Sequence, residues 1–211
     1  MADINVYLYP NTSSADYLAD AAYTALSDAL DDVITYTPGD SLGTYSITTK
    51  YDHPNLSDPD RSTFKSNFED WAWLETSGTG CHLGISTNFN GGLADSGEWD
   101  ENAFATETEA VVGSSTGDGA HYRNVAIQET FHPFIDSSIS SVKSMLGPDN
   151  NEHSLGEIDY NADTTPMVTT YYDKGYASNG GCGHSVNPDG KTTAPTNCTC
   201  EAFEISFNTR G

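Results

Sequence analysis

Three side chains near the middle of the chain have the types and the spacing to do chemistry together. Gln128, Glu129 and His132 lie at i, i+1 and i+4 in the segment Gln-Glu-Thr-Phe-His. On a helix that spacing sets Gln128 and His132 on one face, a turn apart, with the Glu129 carboxylate beside them. Two donors so placed can hold a metal ion, and the neighbouring carboxylate can take a proton from water bound to it. His153, in Asn-Glu-His-Ser-Leu-Gly, can add a third donor after an irregular excursion. Asp136, His121 and His184 are further candidates for the same shell. Each residue also has a plain structural reading, with His132 a half-buried helix histidine, Glu129 a solvated carboxylate and Met167 a filler of the core.

The elements that must position these groups can be read from periodicity. Residues 4–9 form an apolar, β-branched run that ends at Pro10, and residues 13–33 then repeat Ala, Leu and Tyr at helical spacing. Asn11, Thr12, Ser13 and Ser14 are candidate caps, and Tyr17, Leu18, Ala21, Ala25 and Leu26 the predicted apolar face. A strand over 45–51, a helix over 62–75 and a strand over 81–87 follow, the helix with Phe64, Phe68, Trp71 and Trp73 as its aromatic side. This βαβαβ order predicts a partly parallel sheet with helices packed on it. Turn signals make 88–99 an exposed excursion before a strand over 106–114, and helical periodicity returns over 122–135. Beyond it, Pro148, Pro166, Pro188 and Pro195 and many glycines predict a loop-dominated half closed by the short run 202–207. The expectation is one α/β (α+β) domain over 1–211, with an upper sheet-and-helix part over about 1–135 and a loop-rich lower part over 136–211.

Gln-Glu-x-x-His has the frame of the zincin motif HExxH, with Gln in place of the first His. With His153 after it, and then Thr165-Pro166-Met167 and the tyrosines 171 and 172, the chain resembles the metzincin zinc metalloproteases in the order of its patches. The resemblance covers roughly residues 4–172 in layout. It implies a mixed sheet above an active-site helix, with a peptide aligned along an edge strand. Carried over, it makes Gln128, His132 and His153 the ligands of a Zn2+ ion, Glu129 the general base, and Met167 the turn beneath the metal, with Tyr171 or Tyr172 beside it. The chain departs from the compact HExxHxxGxxH, having Ile135 and Ser138 where that pattern has Gly and His. An amide oxygen is also a weaker zinc donor than imidazole, so Gln128 implies lowered affinity. Two functions follow as expectations. One is a zinc-dependent endopeptidase acting on a peptide or protein substrate; the other is a metzincin-shaped binding or structural module that has lost activity through Gln128.

Composition narrows the setting. The 31 acidic against 8 basic residues leave a net charge of −23 and no Lys/Arg stripe, which excludes a nucleic-acid reader. The acids are scattered through the chain, as at Asp16, Asp20, Asp28, Asp31 and Asp32, and resemble those of halophilic proteins that depend on ions of a high-salt solvent. Like charges at this density destabilise a compact fold unless salt screens them. No apolar run is long enough to span a membrane. The opening residues carry no export signal, yet four cysteines favour an extracellular setting over a cytoplasmic one.

Those cysteines offer two readings. Cys182, His184, Cys198 and Cys200 form a Cys3His set, although their spacers are tighter than the about two to four residues usual for structural zinc. A disulfide from Cys182 to Cys198 or Cys200 is the favoured expectation, with Cys81 either a buried thiol or partner to the remaining cysteine.

Overall fold

A computed structural model describes residues 3–39, 41–98, 101–148, 150–168 and 190–211. The chain opens with strand β1 (Ile4–Pro10), where Ile4, Val6 and Leu8 are buried on one face and Tyr7 and Tyr9 pack on the other. A 3-10 turn (Ser13–Ala15) leads into helix α1 (Asp16–Tyr36), which buries Leu18, Ala22, Ala25, Ala29 and Val33 along one stripe. Strand β2 (Tyr45–Thr49), helix α2 (Arg61–Glu75) and strand β3 (Gly80–Ser86) complete the βαβαβ unit. Strands β4 (Gly91–Ala94) and β5 (Glu107–Gly113) and helix α3 (Ala120–Phe131) follow. The lower part contains helix α4 (Ser140–Met145), the short strands β6 (Asp163–Thr164) and β7 (Gly190–Lys191), and helix α5 (Asn197–Arg210).

The result is a mixed α+β fold in which helices flank a five-stranded sheet of order β2-β1-β3-β5-β4. Every pair is parallel except β4 with β5. All seven residues of the central strand β3 are buried, as expected where helices cover both faces. Helices α1 and α3 share one core with Val6, Leu8, Leu83, Ile85 and Val112, whereas Phe64 and Phe68 of α2 pack with Tyr9 and Val111 in another. Helix α5 joins the first core through Phe203, whose ring lies 4.6 Å from that of Phe131 and 5.6 Å from that of Phe134. Burying a phenylalanine contributes about 1.5–3 kcal/mol, so this aromatic group anchors the chain just after the 128–132 segment. Among the described residues no helix is long and apolar enough to cross a membrane.

Several local expectations are corrected. The excursion over 88–99 contains β4, because Gly91 at φ +95° turns the chain and Gly92 lets it lie close against β5. Helix α3 stops at Phe131 and passes into a 3-10 turn (His132–Phe134), since Pro133 has no N–H to continue the ladder. The run 202–207 is the interior of the 14-residue helix α5. Tyr17 and Trp73 are 47% and 85% exposed, so they belong to neither buried face. None of the proposed caps bonds an α1 or 3-10 N-terminus through its side chain; Asn11 bridges instead to Leu56 and Asp58.

The cysteine expectation is corrected at Cys81 and Cys200, while Cys198 is disulfide-bonded. Cys81 and Cys200 are free and buried, so neither forms a disulfide. Burial pushes both thiols up, that of Cys200 to about 12, which leaves them protonated and poor nucleophiles. Cys81 sits in the middle of the sheet, between Val6 of β1 and Thr108 of β5, within the main core. Cys182 lies outside the described residues, as do His184, Tyr171 and Tyr172.

Candidate functional site

Helix α3 is buried on every side from Asn124 to Phe131. A helix so enclosed must satisfy each polar side chain locally. Asn124 does so by donating to the carbonyls of Thr164 and Thr192, which ties the start of the helix to the lower part. At the other end, Gln128 and Glu129 are nearly fully buried and face a cleft of about 350 Å³. His132 caps the helix with its N–H on the Gln128 carbonyl, so it stays one turn above Gln128 although the α-helix has ended.

The cleft brings together Gln128, Glu129, His132 and His153, walled on one side by Gly92, Leu93 and Ala94 of β4. Strand β4 is the outer strand of the sheet, so one of its edges has no strand beside it among the described residues. The Gln128 amide donates to Glu129 Oε1 at 3.0 Å, and the Ala94 N–H also reaches that carboxylate. Burial raises the proton affinity of Glu129 above the ordinary carboxylate range, against the lowering effects of His132, Gln128 and Arg61. Because a carboxylate only accepts, the amide nitrogen of Gln128 must face Glu129. Its Oε1 is left buried without a hydrogen-bond partner among the described residues.

The two imidazoles stand nearly perpendicular, at 85° with centroids 5.1 Å apart. His153 Nδ1 donates to the Met167 carbonyl at 2.7 Å, which puts the ring's lone pair on Nε2. Burial, and then the neighbouring His132, push His153 down to about 3, so this ring is neutral at ordinary pH. His132 Nδ1 donates to Glu152 Oε2 at 2.6 Å. Burial disfavours the charged form of His132, but the hydrogen bond and charge of Glu152, with the charge of Glu129, outweigh it and raise its proton affinity. The second oxygen of Glu152 is buried without a partner among the described residues.

Glu152 was missed from the sequence, where its only signal is that it directly precedes His153. Met167 is buried in the core, and the group it offers the cleft region is its backbone carbonyl. Two other candidates lie elsewhere. Asp136 is fully buried and paired with Arg210 at 2.6 Å, locking the 3-10 turn to α5, so it is not available to a metal shell. His121 is exposed in the first turn of α3, at the opposite end from His132. Among the described residues no three His, Cys, Asp or Glu side chains converge as a metal centre. The set read from the sequence has only two such groups, His132 and His153, its third being an amide. No protein-family model matches the sequence, and comparison with curated proteins gives no match.

Proposed function

We propose that the protein is a zinc-dependent endopeptidase of metzincin-like architecture, with Glu129 as the general base. The observation that carries this reading is the cleft itself, where Gln128, Glu129, His132 and His153 line one opening beside the outer strand. Two features support zinc in kind. Both imidazoles give their Nδ1 protons to acceptors, an arrangement typical of metal-bound histidines, and Gln128 Oε1 is a buried oxygen without a partner among the described residues. Gln128, His132 and His153 would hold the ion. Zinc bound there would supply Lewis acidity toward a peptide carbonyl and lower the pKa of a water molecule.

The chain's own groups do the rest. A peptide strand can add to β4 through backbone hydrogen bonds, which lays its carbonyls across the cleft. Glu129, its proton affinity raised by burial, is suited to take a proton from water and return it to the leaving amine. Glu152 and the Met167 carbonyl orient the two rings.

One observation favours the second reading, a binding or structural module. The Gln128 amide is bonded to Glu129, so the residue replacing the expected histidine also occupies the base. Zinc titration and peptide cleavage in high salt, on the parent, Gln128→His, His132→Ala and Glu129→Gln, separate the two. The enzyme reading expects tighter zinc in Gln128→His, none in His132→Ala, and bound zinc without cleavage in Glu129→Gln. A parent that neither binds zinc nor cleaves, with binding gained in Gln128→His, supports the inactive module. Unchanged metal content in both ligand variants overturns the metal site.

A further inference from the structure

Among the described residues, Arg61 is the one lysine or arginine on the wall of the cleft. Arg61 is the first residue of α2, whose N-terminus is capped by Asp60 through the Thr63 N–H. Arg61 Nη1 donates to the Gly92 carbonyl at 3.4 Å. A Cβ on Gly92 would stand 2.2 Å from Glu129 Cγ, so the guanidinium and the carboxylate flank the same residue of β4. Arg61 is exposed and opens onto the same cleft as Glu129 and His132.

Its place on the cleft sets it apart, since Lys50 and Lys143, which also make no ion pair among the described residues, lie outside the cleft. Lys65 is held by Glu69 and Asp95, Arg123 faces Asp118, and Arg210 is locked to Asp136. Arg61 makes no ion pair among the described residues, in a chain where acids outnumber bases 31 to 8. Arg61 acts on the Glu129 carboxylate only through its charge, and with no carboxylate bonded to it among the described residues it keeps most of its donor fork for something else. Guanidinium matches a carboxylate in shape, giving two parallel charge-assisted hydrogen bonds.

We propose that Arg61 is the specificity residue of this cleft and binds a carboxylate of the peptide, either an Asp or Glu side chain or the chain terminus. The inference rests on the cleft being a peptide site, and it names the substrate class. It also carries a salt signature. The net charge of −23 repels acidic peptides at low ionic strength, whereas at about 1 M salt the Debye length shrinks to about 3 Å and only contact pairs persist. Preference for an acidic peptide therefore emerges as salt rises, the reverse of ordinary electrostatic steering.

The test uses the full chain in about molar salt with peptides that differ at one position flanking a common bond. One series carries Glu, Gln or Lys there with amidated ends; a second carries Gln with a free terminal carboxylate. Both cleavage (kcat/KM) and binding (anisotropy of a labelled peptide) are read for the parent, Arg61→Gln and Arg61→Glu. The expected result is a preference of about 10-fold or more for one carboxylate-bearing series, lost in Arg61→Gln and turned toward Lys in Arg61→Glu. Which series is preferred identifies the source of the carboxylate. If peptides bind with this pattern but are never cut, the specificity stands and the hydrolase reading falls. If cleavage has the same charge profile in the parent and Arg61→Gln, or both variants weaken all peptides equally, Arg61 only braces β4 and the inference is overturned. A parent that neither binds nor cleaves any peptide overturns both.

Discussion

Two histidine sites, His82 on β3 and the pair His132 and His153 at the cleft, are alike in being enclosed and differ in what they leave unfinished. His82 lies on β3 with no exposed surface, stacked on Tyr7 at 4.5 Å and on Tyr9 at 5.6 Å. Its Nε2 bonds the Gly78 carbonyl at 3.1 Å, so that nitrogen carries the proton, and Nδ1 accepts from the Tyr9 hydroxyl at 3.0 Å. Both nitrogens are used within the fold. At the cleft, His132 and His153 also have their Nδ1 atoms engaged, but buried oxygens of Gln128 and Glu152 beside them have no partner among the described residues. Both groups bury histidine and carry shifted proton affinities, so neither burial nor a shift marks a site. Unspent hydrogen-bonding capacity beside an opening does.

The largest effect that would sharpen this contrast is at Gly92. A Cβ there meets Glu129 Cγ at 2.2 Å and the Val111 carbonyl at 2.8 Å, so Gly92→Ala must displace the carboxylate or β4. On the peptidase reading, cleavage falls by about 100-fold, the cost of misplacing a catalytic group by about 1 Å. Zinc affinity, measured by titration, stays close to the parent's because no donor is touched. Equal loss of both would mean that the strand, and not Glu129, moved.

Next in size is Glu152. Replacing it by Gln removes the charge that holds His132, and zinc affinity is expected to drop about 10- to 100-fold. Competition with a chelator of known strength reads this directly. The matched change in the other group, Tyr9→Phe, should leave zinc affinity unaltered. If Tyr9→Phe weakened zinc as much as Glu152→Gln, the two histidine groups would not differ in role.

The smallest effect is on stability. Tyr9→Phe strands the buried Nδ1 of His82 without a donor and should cost about 1–3 kcal/mol in denaturant melts. Burial, as the leading cause, holds His82 below the usual histidine range. The unfolded chain therefore binds a proton there that the native state does not. This term stabilises the fold above the ordinary histidine pKa of about 6.5 and is lost as pH falls below it. His82→Phe should flatten that part of the stability profile. An unchanged slope between the parent and His82→Phe would show that other groups set it.

Much of the upper architecture was legible because its signals are local. Alternation in Ile4, Val6 and Leu8, helical spacing in Leu18, Ala22 and Ala25, and the strand-helix order all act over a few residues. The four-residue step from Gln128 to His132 survived even the end of its helix, since one backbone bond to Gln128 holds that turn. Strand β4 was hidden because its two glycines read equally as a turn, and the difference lies in what approaches them from β5 and α3. Helix α5 was hidden because the run 202–207 is too short a window to show the helical periodicity of a 14-residue helix.

By itself the sequence determined the chemistry available: the residue types at 128, 129, 132 and 153, their order, and a charge of −23. Only tertiary structure decided which of these have company. It set Glu152 on His132 across 20 residues, Arg61 against Gly92 across 31, and Arg210 on Asp136 across 74. It also left Cys81 and Cys200 as separate buried thiols. The physical reason is one of range. Backbone periodicity couples neighbours within a turn or a pleat, whereas proton affinity, pairing and access depend on groups that only packing brings within a few ångströms.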